Sequence, residues 1–153
     1  MIPGGDERPT TVLVSAIGGE GGGVLAGWIV AAAKHAGYPV QSTSIPGVAQ
    51  RTGATTYYLE VFPIPIAELG DRRPVLAIYP GVGDVDIMIA SEFIEAGRAI
   101  SNGFITPDRT VLIASTHRVY AIGEKSEMGD GRYSTDTLHE IIGQRAKRAL
   151  LAN

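Results

Sequence analysis

Gly18, Gly19, Gly21, Gly22 and Gly23 fill five of six positions in the stretch "SAIGGEGGGV", residues 15–24, between an apolar run and an apolar-periodic one. Backbone this bare can cradle a phosphate at a helix N-terminus, or it can let a helix pack close to its strand. The dinucleotide spacing fails. Starting at Gly19-Glu20-Gly21, the third glycine falls on Val24, and no acidic residue stands about 20 positions on, where residues 41–44 read QSTS. No Gly-Lys-Ser/Thr is present, so this is not a P-loop. Glu20 also sets a negative charge where the helix dipole would attract a phosphate. Tight turning and close packing are the ordinary alternative, but they leave an excess of glycines that suggests backbone approach to a ligand or a partner chain.

A second loop, Ile45 to Gly53, reads IPGVAQRTG. In an open α/β sheet the loops leaving the C-terminal strand ends form the ligand crevice, so this loop and the glycine loop should share one edge. Gln50 can donate and accept there, and Arg51 can grip a carboxylate or phosphate with two parallel bonds. A surface arginine in a local salt bridge is the alternative for Arg51. Other residues offer less. His35, His117 and His139 lie far apart with no acidic companion at ligand spacing, and no G-x-S-x-G elbow accompanies them. Asp84 and Asp86 read as turn residues, Gly129-Asp-Gly131 lies in a polar turn without a later Asn-Asn, and Trp28 and Phe93 read as core.

The elements that must position these loops follow from patterning. Thr11–Ile17 reads as a strand buried on both faces. Leu25, Trp28, Ile29, Ala32 and Ala36 recur at helical spacing, with Gly37 at the C′ position. Residues 38–44 read as a second strand, making a βαβ unit with parallel pairing, and 54–62 as a third. Residues 75–79 and 86–90 are two further strand candidates. Ser91 and Glu92 then supply an N-cap and a first-turn acid for a helix carrying Phe93, Ala96, Gly97 and Ile100. Residues 110–115 are the next strand, and Val119–Ile122 is a candidate edge strand. Ser134, Thr135 and Asp136 cap a closing helix drawn to residue 151, with Leu138, Ile141, Ile142 and Leu150 apolar. The expected fold class is α/β: three layers, α/β/α, around a mostly parallel sheet of about five or six strands. Residues 1–10 read as a flexible lead and 11–153 as a single domain.

Composition narrows the function classes. Thirteen Lys and Arg against 16 Asp and Glu, with no basic run longer than Arg72-Arg73, argue against a nucleic-acid footprint. There is no basic n-region with an apolar core at the start, and no apolar run approaches a bilayer span, so the expected compartment is the cytoplasm, with no membrane partner. With no cysteine, the chain has no thiolate to hold an iron–sulfur cluster or a zinc ion.

The stretch "IGGEGGGVLAGWIVAAAKHAGYPVQSTSIPGVAQRTGATTYYLEVF" resembles the opening of the gamma domain of the 2-oxoacid:ferredoxin oxidoreductases, whose pattern is G-x-G-G-x-G, a helix, then a G-x-A-Q-R-G-G-like loop. Gly47-Val-Ala-Gln-Arg-Thr-Gly53 matches that loop, with Thr52 where a glycine is usual. The later "DVDIMIASEFIEAGRAISNGFITPDRTVLIASTHRVYAIGEKSEMGDGRY" is similar to the long form found in indolepyruvate oxidoreductase beta subunits, and the resemblance runs over residues 11–150. Subunits of that form usually continue further, so it implies a piece of one or a separately encoded subunit. It also implies part of a complex that decarboxylates a 2-oxoacid, an aryl pyruvate such as indolepyruvate, on thiamine diphosphate. Electrons then pass through iron–sulfur clusters to ferredoxin, and the acyl group goes to coenzyme A. Thiamine and clusters belong to partner subunits in this family, so none of these cofactors is expected on this chain alone, which should be inactive in isolation. The residues expected to face a ligand or partner are Gly19, Glu20, Gly21, Gly22, Gly47, Gln50, Arg51, Thr52 and Gly53, with no catalytic residue or metal ligand assigned. A stand-alone nucleotide- or coenzyme A-binding module, or a purely structural subunit, are the competing expectations.

Overall fold

The computed structural model describes residues 7–47, 53–120, 124–125 and 134–153. Gln50, Arg51, Thr52, Ala121, Ile122 and the Gly129-Asp-Gly131 turn lie outside them. In chain order the elements are β1 (Thr10–Ile17), α1 (Gly22–His35), β2 (Val40–Ile45), β3 (Ala54–Val61), α2 (Ile66–Leu69), β4 (Ile87–Ala90), α3 (Phe93–Ser101), β5 (Val111–Ser115), α4 (Thr135–Arg145) and β6 (Arg148–Ala152). The strands form one six-stranded sheet in the order β2-β3-β1-β4-β5-β6. Every pair from β1 to β6 on that side is parallel, and β3 runs antiparallel to both neighbours.

The sheet is α/β and mostly parallel, as its patterning predicts, but the first crossover differs from expectation. β1 and β2 point the same way yet do not pair: β3 lies between them, with Ile17 opposite Ala54 and Ile45 opposite Thr56. The βα-β pattern fixes direction and does not exclude a later strand returning into the gap.

Alternation along β1 divides the core. Leu13 joins Tyr58, Met88, Phe93, Leu112 and Ile142 on the face covered by α3 and α4. Val12 and Val14 join Leu59 and Ala26 on the face covered by α1, with Leu25, Ile29 and Val30 packed beside them. Trp28, expected in the core, is 69% exposed, because α1 turns Gly22 and Ala26 inward. Gly37 has φ 81°, and the Gly37 and Tyr38 N–H groups donate to the Lys34 and Ala33 carbonyls, closing α1 in a Schellman motif.

Three further expectations are corrected. Residues 75–79 form no strand, although Ala77 N–H donates to buried Glu60 at 2.7 Å. Val119 and Tyr120 are irregular. The closing helix stops at Arg145, where Ala146 turns extended (φ −101°, ψ 141°), and residues 148–152 pair with β5. Arg, Ala and Leu are strong helix formers, so "RALLA" carries a helical preference that pairing overrides.

Asp84 and Asp86 do more than turn the chain. Arg8 and Arg109 each bridge both carboxylates, with Arg8 to Asp84 at 2.9 Å and Arg109 to Asp86 at 3.0 Å. Asp86 also accepts from the Thr11 N–H at 2.9 Å, tying β1 to the entry of β4. Among the described residues no helix is long and apolar enough to cross a membrane.

Candidate functional site

From β1 the chain leaves to α1 on one face, and from the adjacent, parallel β4 it leaves to α3 on the other. Two neighbouring strands whose exits diverge leave a crevice at their C-terminal ends, the usual ligand position in this architecture.

The glycine loop forms one wall, and its glycines have separate tasks. Glu20 N–H donates to the Ile17 carbonyl at 3.1 Å across a turn in which Gly19 holds φ 91°. Gly21, φ 79°, is the N-cap of α1 and offers no side-chain cap. A Cβ on Gly22 would come under 3.0 Å from Ala16 Cβ and 3.1 Å from the Tyr57 ring, and one on Gly23 would reach the Tyr57 hydroxyl at 3.0 Å. These two bring the helix start against β1 and β3. Gly18, Gly19 and Gly21 have open space on their free side.

Glu20 reaches across to Ser91. Its carboxylate accepts from the Ser91 hydroxyl and, at 3.2 Å, from the Ile17 N–H, while Ser91 N–H donates to the Ser15 carbonyl at 3.0 Å. An acid therefore bridges the two diverging loops where a phosphate would need donors. Ser91, expected as the N-cap of α3, makes this bridge instead, and the cap is Glu92, whose carboxylate accepts from Ile94 N–H at 2.8 Å.

Behind the crevice lies a buried polar layer that sequence reasoning missed. Glu92 also accepts from Val119 N–H at 2.9 Å, and Arg118, 3.8 Å from Glu92, pairs with buried Glu124. Burial pushes the Glu92 carboxyl above its ordinary range, against the lowering effect of its two N–H donors. Glu95 accepts from buried Ser15 at 2.9 Å and pairs with Arg98 at 3.3 Å. "SEFIE" with a later Arg carries a faint signal, since acids at a helix start stabilise its dipole.

The described ends of the second loop come to the same edge, because Ile45 and Ala54, which bound it, lie beside β1's end. Gly47 is packed onto Ala54 so tightly that a Cβ would strike its backbone, and Gly53 holds φ 80°. Gly19, Glu20, Gly21, Gly22, Gly47 and Gly53 are thus brought to one edge; Gln50, Arg51 and Thr52 are outside the described residues. Of the histidines, His117 carries the backbone carbonyl that accepts from Phe93 N–H at 3.0 Å, and His139 packs its ring on Phe93.

Among the described residues no three His, Asp or Glu side chains converge to hold a metal ion. Among the described residues the carboxylates at the crevice, Glu20, Glu92 and Glu95, are engaged in structural hydrogen bonds, and none joins a hydroxyl nucleophile to a histidine base. The arrangement presents backbone and shape, which suits recognition.

The family model for pyruvate ferredoxin/flavodoxin oxidoreductase matches residues 11–150. The chain belongs to that family. Its fold is similar to pyruvate oxidoreductase subunit PORC from Thermotoga maritima, with a TM-score of 0.55 at 16% identity, over 92% of this chain and 60% of that one. It is also similar to the 2-oxoglutarate:ferredoxin oxidoreductase from Magnetococcus marinus, with a TM-score of 0.57 at 13% identity, over 95% of this chain and 20% of that one. The chain thus spans less than two thirds of either relative, 60% of the first and 20% of the second. No curated protein matches the chain.

Proposed function

We propose that this family domain is a non-cofactor component of a thiamine diphosphate- and ferredoxin-dependent 2-oxoacid oxidoreductase, acting on an aryl pyruvate such as indolepyruvate and forming an acyl-CoA. It docks onto thiamine- and cluster-bearing partner subunits through the glycine-loop edge and walls the cavity that coenzyme A enters. The observation that carries this reading is the bare backbone of Gly18, Gly19 and Gly21 beside an uncapped helix start, at the edge to which Ile45, Gly47 and Gly53 also come. That surface is shaped for close approach, while Glu20 sets a negative charge beside it that opposes a phosphate. Family membership and the coenzyme A and succinyl-CoA bound in the Magnetococcus enzyme support the assignment. Iron–sulfur clusters do not fit this chain, which has no cysteine, so no redox step is assigned to it.

Gly18 supplies the test. It has open space and no positive φ, so Gly18→Leu is tolerated by the domain itself. The variant should melt no more than about 2 °C below wild type, since free surface positions lose under about 0.5 kcal/mol and replacing glycine restricts the unfolded chain. In native pull-down and coenzyme A-dependent dye reduction with partner subunits, it should lose at least about tenfold in assembly or acyl acceptance. Arg51→Ala should behave alike. Unchanged assembly and activity in both variants would remove the glycine edge from the interface.

A further inference from the structure

The strand ends opposite the crevice carry a strap. Residues 71–79 run without regular structure between two buried residues, Leu69 and Pro80. Gly70, at the start, holds φ 61° and ψ −126°, which glycine reaches without a Cβ penalty. Among the described residues, one hydrogen bond ties the strap down between Pro74 and Tyr79: Ala77 N–H donates to the Glu60 carboxylate at 2.7 Å. Tyr58, its phenol pushed up by burial and by Glu60, donates to the other oxygen of that carboxylate. Two residues beyond Ala77, the Tyr79 ring meets Phe104 edge-to-face at 6.1 Å. Both rings wall a cleft of about 500 Å³ with Val82, Arg98, Ser101 and Asn102.

Little else draws the strap onto the sheet. Val75 and Ile78 are 96% and 64% exposed, so closure removes little of their apolar surface from water. Glu60 is buried with two neutral donors, so the closed strap also keeps a carboxylate from its hydration. One charge-assisted bond and one ring contact stand against that desolvation and the ordering of nine residues. A segment with so few buried apolar contacts opens by itself, ahead of the domain.

We propose that residues 71–79 are a hinged strap, latched by the Glu60–Ala77 bond, whose local opening turns on Gly70 and lifts Tyr79 off Phe104 to widen the cleft. Unlatching and hydration of Glu60 are one event, because Ala77 N–H holds the oxygen that water then takes. Glu60 lies opposite Thr11 at the start of β1, the far end from the glycine loop. The strap therefore stands or falls separately from docking through the glycine edge.

Amide hydrogen exchange of the purified chain, resolved residue by residue by NMR, tests this. In wild type, Ala77 should exchange at least about tenfold more slowly than an unstructured peptide, as a hydrogen bond to a charged group implies. It should also exchange at least about 100-fold faster than Leu13 and Leu59, central in β1 and β3, at a rate that low urea leaves unchanged. Tyr58→Phe with Glu60→Leu removes the acceptor and its second donor together, and should bring Ala77 within about threefold of the unstructured rate while Leu13 and Leu59 stay protected. Tyr79→Ala should speed Ala77 exchange about two- to tenfold, the worth of an edge-to-face pair. Ala77 exchanging at the core's rate with the core's urea dependence would show that the strap opens only with the whole domain, and overturns the proposal. Ala77 already at the unstructured rate in wild type, or unmoved in the double variant, overturns the latch. No change in Tyr79→Ala overturns its coupling to the cleft. The wild-type rates alone decide whether opening is local, whatever the folding of the variants.

Discussion

Gly22→Ala is the substitution for which the structure gives the sharpest number. In helix interiors alanine is favoured over glycine by up to about 1 kcal/mol, and at the first helical position the gain is smaller. Against this, the new Cβ would lie under 3.0 Å from Ala16 Cβ and 3.1 Å from the Tyr57 ring. Carbon pairs settle at about 3.5–4.0 Å, so the start of α1 must retreat by roughly 1 Å from a sheet face it now seals. Overpacking of this kind costs about 1–3 kcal/mol, which outweighs the propensity gain and leaves a net loss of about 1–2 kcal/mol. For a domain of this length that lowers Tm by about 2–8 °C. Urea denaturation followed by circular dichroism, in wild type, Gly22→Ala, Ala16→Gly and the double variant, reads it directly. Ala16→Gly opens the space, so Gly22→Ala should cost less than about 0.5 kcal/mol in that background. Gly18→Ala, where space is open, should instead stabilise by about 0.4–1 kcal/mol through the unfolded state. A neutral or stabilising Gly22→Ala, or the same cost in both backgrounds, would refute the packing role given to Gly22.

Three further outcomes are expected. Asp86→Asn loses the charge held by Arg8, Arg109 and the Thr11 N–H; at 23% side-chain exposure the cost should be about 1–2 kcal/mol by urea denaturation and should shrink in high salt. Glu92, raised by burial, binds its proton more tightly in the folded than in the unfolded state, so the stability it contributes is complete below its ordinary value of 4.5 and is lost as pH rises through the raised value. Glu92→Gln should flatten that part of the stability–pH curve above 4.5, while losing one of two N–H bonds at about 1 kcal/mol; an unchanged curve would count against the burial argument. Glu20→Ala frees Ser91 and the Ile17 N–H at an exposed site and should change stability by less than about 1 kcal/mol in thermal melts.

Local signals in the sequence were good guides to local structure. The β-branched run of β1, the spacing and C′ glycine of α1 and Ser134 before α4 all produced the elements they predict, because each depends on residues within a few positions. Features set by distant partners were not legible. "RALLA" reads as helix until β5 offers it a ladder, and Trp28 shares its apolar period with residues that α1 turns inward. Residues 75–79 have the composition of a strand, but Ala77 N–H is taken by a buried carboxylate instead of a neighbouring strand.

The insertion of β3 between β1 and β2 and the excess of glycines are one unread feature. Tyr57 lies on β3, opposite Val14, and its ring confronts Gly23 and stands behind Ala16 Cβ, the nearer obstacle, at Gly22. With β2 beside β1, as the crossover alone suggests, that ring has no place beneath the start of α1, and five glycines look like one ligand loop. With β3 in the gap, two of them belong to packing, and two carry positive φ that sets the turn and the helix start. The open backbone left over, with the exposed Glu20 side chain held across to Ser91, is the part that faces outward from the crevice. A surface of that kind holds little charge for a ligand and much room for another chain, which is why a single leucine at Gly18 can separate partner contact from folding.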